Sequence, residues 1–153
     1  MRCGASFLLL LALLLASCTA CAAIAATVSF VTLAKGLASG VAQPTQIVVR
    51  SQNDWAALWS RHMRTQVASP PPPSVDFSRD MVVALFMGER PTGGYAIEVT
   101  RIERTAQGLA VHYRTSRPDP SAMQTQVLTQ PFHLVTVPRV DDAVTFVAET
   151  PAR

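Results

Sequence analysis

Met81-Val82-Val83-Ala84-Leu85-Phe86-Met87 is an unbroken apolar run. A strand with one wet face alternates apolar and polar residues, so an uninterrupted run of this kind reads as a central strand covered on both faces. The sequence before it supplies one cover. Ser51 and Asp54 make an S-x-x-D pair that opens a helix, the hydroxyl and the carboxylate each satisfying an orphan amide of the first turn. Trp55, Leu58, Trp59 and His62 then fall at i, i+3, i+4 and i+7, one helical face. Two tryptophans a turn apart bury a large area, so this helix is predicted to seal one side of a sheet.

The rest reads as strands and turns. Residues 27–34 predict a first strand, with Val28 and Phe30 on one side and Val31 and Leu33 on the other. Residues 36–44 are a loop and 46–50 a short β-branched strand. The stretch 69–74 holds four consecutive prolines and is a stiff connector leading out of the helix. Tyr95, Ile97 and Val99 alternate with polar or small residues, and Leu109, Val111 and Tyr113 repeat the pattern beyond a Gln107-Gly108 turn. After a longer loop over 117–126, residues 132–137 and 144–147 are the last two strands. The fold class expected is α+β: a mostly antiparallel β-sheet domain, over 27–153, with one amphipathic helix packed on it.

The N-terminus reads as an export signal. Arg2 gives a positive start, residues 7–16 are apolar, and Leu15-Ala16-Ser17-Cys18 is a lipobox. The apolar run is too short to cross about 30 Å of hydrocarbon. Residues 1–17 are then a lipoprotein signal peptide, Cys18 is the lipid attachment point, and 18–26 is a flexible tether. Ala23-Ile24-Ala25 is an alternative cleavage site that would release a soluble exported protein. On the first reading the chain is lipid-anchored in the cell envelope. Thr19 after the acceptor cysteine, where aspartate is associated with inner-membrane retention, points to the outer membrane.

Composition and spacing narrow the function. Formal net charge is +3, which falls to about +2 once Arg2 is removed with the signal. The basic residues are scattered singly, so no nucleic-acid footprint is present. The three cysteines, Cys3, Cys18 and Cys21, all precede the domain, which leaves it no disulfide, thiol nucleophile or thiolate metal site. His62, His112 and His133 lack metal-ligand spacing and read as surface or sheet-face residues. No nucleophile elbow or phosphate loop occurs, and Asp141-Asp142 reads as a solvated turn. The expectation is a non-catalytic protein without cofactor or metal.

One loop stands out: Gly88-Glu89-Arg90-Pro91-Thr92-Gly93-Gly94-Tyr95. Adjacent glycines permit positive φ or close approach of another backbone. Two readings remain open, a hairpin loop whose glycines solve geometry and a loop presented to a partner.

Several segments together resemble the protease complex subunit PrcB C-terminal family. They are Ser39-Gly40-Val41, Val48-Val49, Trp55-Ala56-Ala57-Leu58-Trp59, Val75-Asp76-Phe77, the run 82–95 ending in Thr-Gly-Gly-Tyr, and Val127-Leu128-Thr129-Gln130-Pro131-Phe132-His133-Leu134-Val135. The likeness spans about 39–147. It implies a small accessory domain that binds another envelope or exported protein, a protease among the candidates, with Thr92, Gly93, Gly94 and Tyr95, joined by Pro131 and Phe132, forming or supporting the contact surface. Residues 90–95 are also similar to the N-P-T-T-G-[YF] loop of chagasin-type cysteine-protease inhibitors, although that family's other two loops are missing. A protease inhibitor and a small-ligand-binding envelope protein are therefore the alternative readings.

Overall fold

The computed structural model describes residues 26–150. The signal segment, Cys18 and nearly all of the tether lie outside the described residues. Eight strands and one α-helix follow in the order β1 (Ala26–Thr27), β2 (Val31–Gly36), β3 (Thr45–Val49), α1 (Gln52–His62), β4 (Asp80–Phe86), β5 (Ala96–Thr105), β6 (Gly108–Ser116), β7 (Phe132–Pro138) and β8 (Ala143–Glu149), with a 3₁₀ turn, Met63–Thr65, closing the helix. They form two four-stranded sheets, ordered β1-β5-β6-β8 and β2-β7-β4-β3.

The apolar run becomes β4, an inner strand flanked by β3 and β7, both antiparallel. Its residues divide by parity between two cores. Met81, Val83, Leu85 and Met87 join Ile97, Val99, Ile102, Leu109 and Val111 between the sheets. Val82, Ala84 and Phe86 face Trp55, Leu58, Trp59 and Met63 under the helix. The order of layers is therefore helix, sheet, sheet, and β4 is apolar on both faces because both faces are covered.

The helix begins where the S-x-x-D pair places it. Ser51 is extended and its Oγ accepts the Asp54 amide at 3.2 Å. The carboxylate of Asp54 takes the Ser51 hydroxyl itself at 2.6 Å. Trp55, Leu58, Trp59 and His62 are all buried, and the two indoles pack with centroids 5.4 Å apart. The proline connector completes this layer, since Trp55 Nε1 donates to the Pro73 carbonyl at 2.9 Å and Trp59 Nε1 to the Pro70 carbonyl at 2.8 Å. A polyproline segment makes no internal hydrogen bonds, so its carbonyls are available to buried indoles.

Three expectations change. The strand predicted over 27–34 is two strands in different sheets. The chain crosses between them at 28–30, where the Val28 amide bonds the Ile102 carbonyl at 2.8 Å and both Val28 and Phe30 pack into the inter-sheet core. β2 is an edge strand, which leaves Val31 66% exposed. The antiparallel expectation holds for every ladder except β6 with β8, which is parallel. β7 belongs to the other sheet, so the chain crosses over at 139–142 and β8 enters alongside β6 in the same direction.

His62, read as a surface or sheet-face residue, is instead buried at 2% exposure. Its Nδ1 lies 2.9 Å from Ser39 Oγ, and its ring packs edge-on to Phe132 at 4.3 Å. Burial holds its pKa below the ordinary histidine value. A single hydroxyl partner is enough to let a neutral imidazole occupy an aromatic core.

Candidate functional site

At one end of the sandwich the two sheets part around a cleft of about 500 Å³. The start of β3 contributes Pro44, Thr45 and Gln46, and the end of β4 contributes Phe86 and Met87. Arg90, Tyr95 and Ile97 enter from the following loop and β5, and Tyr113, Thr115 and Arg117 from the end of β6. The arrangement follows from strand parity and register. Ile97 pairs with Thr115 and Val99 with Tyr113, and the two-residue repeat sends Tyr95 and Ile97, then Tyr113, Thr115 and Arg117, to one face of the sheet.

The polar groups of the cleft are placed by the chain itself. One terminal nitrogen of Arg90 donates to the Met87 carbonyl at 2.8 Å, and the guanidinium carbon lies 5.8 Å from the centroid of the Tyr95 ring. Arg90 Nε is buried without a partner among the described residues. Gln46 Nε2 donates to the Tyr113 hydroxyl at 2.7 Å. Elsewhere in the same sheet, Arg114 and Arg101 are ion-paired, whereas Arg104 has no ion pair among the described residues. Arg114 shares Glu98 with Lys35, and these two hydrogen bonds hold the Glu98 carboxyl below its usual range. Arg101 pairs with Glu103 and Glu149. Arg90 and Arg117 have no carboxylate partner among the described residues, and no acidic residue lines the cleft.

The predicted loop residues form the rim of this cleft. Gly94 has φ +84°, and an added Cβ would lie 2.6 Å from Pro118 Cβ and 2.8 Å from Gln124 Oε1. The close approach that the glycine pair permits is thus made by the chain's own 117–131 connection. The Gly93 amide bonds the Thr125 carbonyl at 2.9 Å, and the Thr129 hydroxyl bonds the Thr92 carbonyl at 2.9 Å. Arg90 and Thr129 form an isolated antiparallel bridge. Thr92, Gly93, Gly94 and Tyr95 are therefore held together as one braced loop.

Pro131 and Phe132 sit behind it. Pro131 is buried, with its carbonyl accepting the Met87 amide at 2.8 Å. Phe132 is 6% exposed, in the core beneath the helix. These two residues support the end of the sandwich from inside. The braced connection over them presents Met123, Val127 and Leu128 to solvent, at 101%, 50% and 59% exposure.

Gln46, Tyr113, Thr115 and Arg117 are site residues that the sequence reading did not single out. Alternation along β6 was the available signal, since it put Tyr113 on the inward face and by the same count Thr115 and Arg117. Nothing local indicated that the opposite sheet would leave that end open. Among the described residues, no group of three or more His, Cys, Asp and Glu side chains converges.

No curated protein and no solved structure matches the chain. The match found is to a family, over the stretch from the central strand through β7 that carries the braced loop and eight of the eleven residues lining the cleft: residues 81–138 match the family described as PrcB C-terminal.

Proposed function

We propose that this chain is an exported, lipid-anchored accessory subunit that binds another envelope protein, a protease of a surface complex, and catalyses nothing itself. The family of residues 81–138 supports an association with a protease complex. The lipobox ending at Cys18 supports export and anchoring. The observation that carries the binding role is the 117–131 connection. Ordered loops beyond about 12–15 residues are usually functional, and this one is pinned to the 88–95 loop by the Gly93–Thr125 and Arg90–Thr129 hydrogen bonds while three apolar side chains face water. Exposed apolar groups on a braced loop bind with little loss of conformational entropy.

Cross-linking in intact cell envelopes, followed by identification of the attached protein, tests this reading. It predicts an exported protease or another subunit of its complex, linked through residues 92–95 or 123–128. Links confined to the helix face or to the β8 edge would contradict it.

A further inference from the structure

We propose that the cleft between the sheets is a binding site for a carboxylate carried on an apolar body. This goes beyond the partner-binding reading and does not rest on it, since the cleft lies inside the rim and the partner surface outside it.

The lining selects the charge of the ligand. Two guanidinium groups, Arg90 and Arg117, come to one cleft with no acidic residue in its wall. Arg90 is already oriented by the Met87 carbonyl and the Tyr95 ring, so little side-chain freedom is lost when its remaining donors take an anion. Arg117 is exposed and reaches the cleft from its mouth. An anion gains from both, and a cation gains from neither.

The lining also selects the type of anion. Phosphate sites are usually built from free main-chain amides, at a helix N-terminus or in a loop nest. Here four of the amides in and before the loop are spent: Met87 on Pro131, Glu89 on Ala42, Arg90 on Thr129 and Gly93 on Thr125. The donors held in place in the lining are side chains: Arg90, fixed by the Met87 carbonyl, and Tyr113, fixed by Gln46. A planar guanidinium presents paired donors that match the two oxygens of a carboxylate. The Tyr113 hydroxyl, already accepting from Gln46, has its own proton free to donate.

The rest of the wall selects the body. Met87 and Ile97 supply apolar surface beside the two tyrosine rings. A volume of about 500 Å³ falls in the range of small-molecule sites, roughly 300–1,000 Å³. Two sources share this chemistry: a free aryl or alkyl acid, and the C-terminal residue of a polypeptide with an apolar side chain.

Titration calorimetry on the purified full-length protein tests the site. The probes are 3-phenylpropanoate, its uncharged amide, inorganic phosphate, and a tripeptide ending in phenylalanine with a free or an amidated C-terminus. The expected result is binding of the free acids, with the amides weaker by about tenfold or more and phosphate not competing. Arg117→Gln should weaken the acids by about tenfold at unchanged melting temperature, whereas Arg114→Gln, whose partner is Glu98, should leave them unaffected. Tighter binding of the small acid assigns the site to a free metabolite, and tighter binding of the free tripeptide assigns it to a chain terminus. Equal binding of acid and amide, competition by phosphate, indifference to Arg117→Gln, or no binding by any acid would each overturn the proposal. None of these results bears on whether the outer rim cross-links to a protease.

Discussion

His133 Nδ1, on β7, accepts the main-chain N–H of Val99, on β5, at 2.9 Å, and so joins the two sheets through a side chain. The bond exists because the β5–β6 ladder shifts register between Val99 and Arg101, and a bulge of that kind releases a backbone group from its strand partner. Acceptance at Nδ1 places the ring proton on Nε2, which donates to Thr32 Oγ1 at 2.9 Å. A second proton at Nδ1 would face the Val99 N–H and break the link. Replacing His133 with phenylalanine keeps a ring but orphans a buried amide. The expected loss is about 1–3 kcal/mol, read from chemical denaturation, and an unchanged midpoint would show the link to be energetically idle.

Stability should fall under mild acid. Burial holds both His62 and His133 below the ordinary histidine value, and the Lys35 charge adds to the effect at His133. The unfolded chain takes up protons near about pH 6.5 while the folded chain resists them. Their contribution is therefore fully present above that pH and is lost as pH falls from there toward the depressed folded values. Carboxylates with lowered values, such as Glu98, act in the same direction only below about pH 4.5. The melting temperature should drop between about pH 7.5 and 5.5, and His62→Gln should flatten that drop. A wild-type melting temperature constant across the interval would contradict the assignment of both rings as neutral.

Trp59→Ala should destabilise the fold by about 3–5 kcal/mol, as large core aromatics do. The substitution empties the space between α1 and its sheet and leaves the Pro70 carbonyl without its indole donor. Tryptophan fluorescence of the native protein should have a buried, blue-shifted maximum that moves red on denaturation. A native maximum typical of indole in water would place Trp55 and Trp59 outside the core.

Gly94→Ala should cost about 1 kcal/mol or more, because its φ is positive and the added carbon collides with Pro118. The damage should be local: hydrogen exchange should speed up in 88–95 and 117–131 and not in the strands. Uniform acceleration over both sheets would mean that the braced loop is part of the core.

Much of the fold was legible because its signals are local or periodic. The Ser51 cap, the Trp55-Leu58-Trp59-His62 stripe and the alternation through Ile97 and Val111 each encode a face, and the unbroken run 81–87 encodes two. The division of 27–34 between sheets was not legible, since a crossing costs no turn residue when both halves of the segment are extended and apolar. The parallel β8 was equally hidden, because strand direction depends on where β7 pairs. His62 carried the helical spacing of a core residue, but its type argued for solvent; only Ser39, distant in sequence, resolves the conflict. The site was half legible: glycine marked the rim, and the arginines inside it depended on an opening between sheets that no local pattern announces.

The anchor has its own test. Cys18→Ala should abolish lipid attachment and shift the protein from the detergent phase to the aqueous phase of a cell-envelope extract. Recovery of wild-type protein with an unmodified N-terminus at Ala26 would replace the lipoprotein with a soluble exported form.

The central claim, that the braced loop end is a protein-binding surface, is tested most directly by co-purification of an exported protease with wild-type, Thr92→Arg and Leu128→Glu proteins from native envelopes, with melting temperatures measured on the same preparations. Binding through this surface predicts that both variants melt as the wild type does and lose the protease. Variants that fold normally and recover it in full would contradict the claim and leave the loop as architecture.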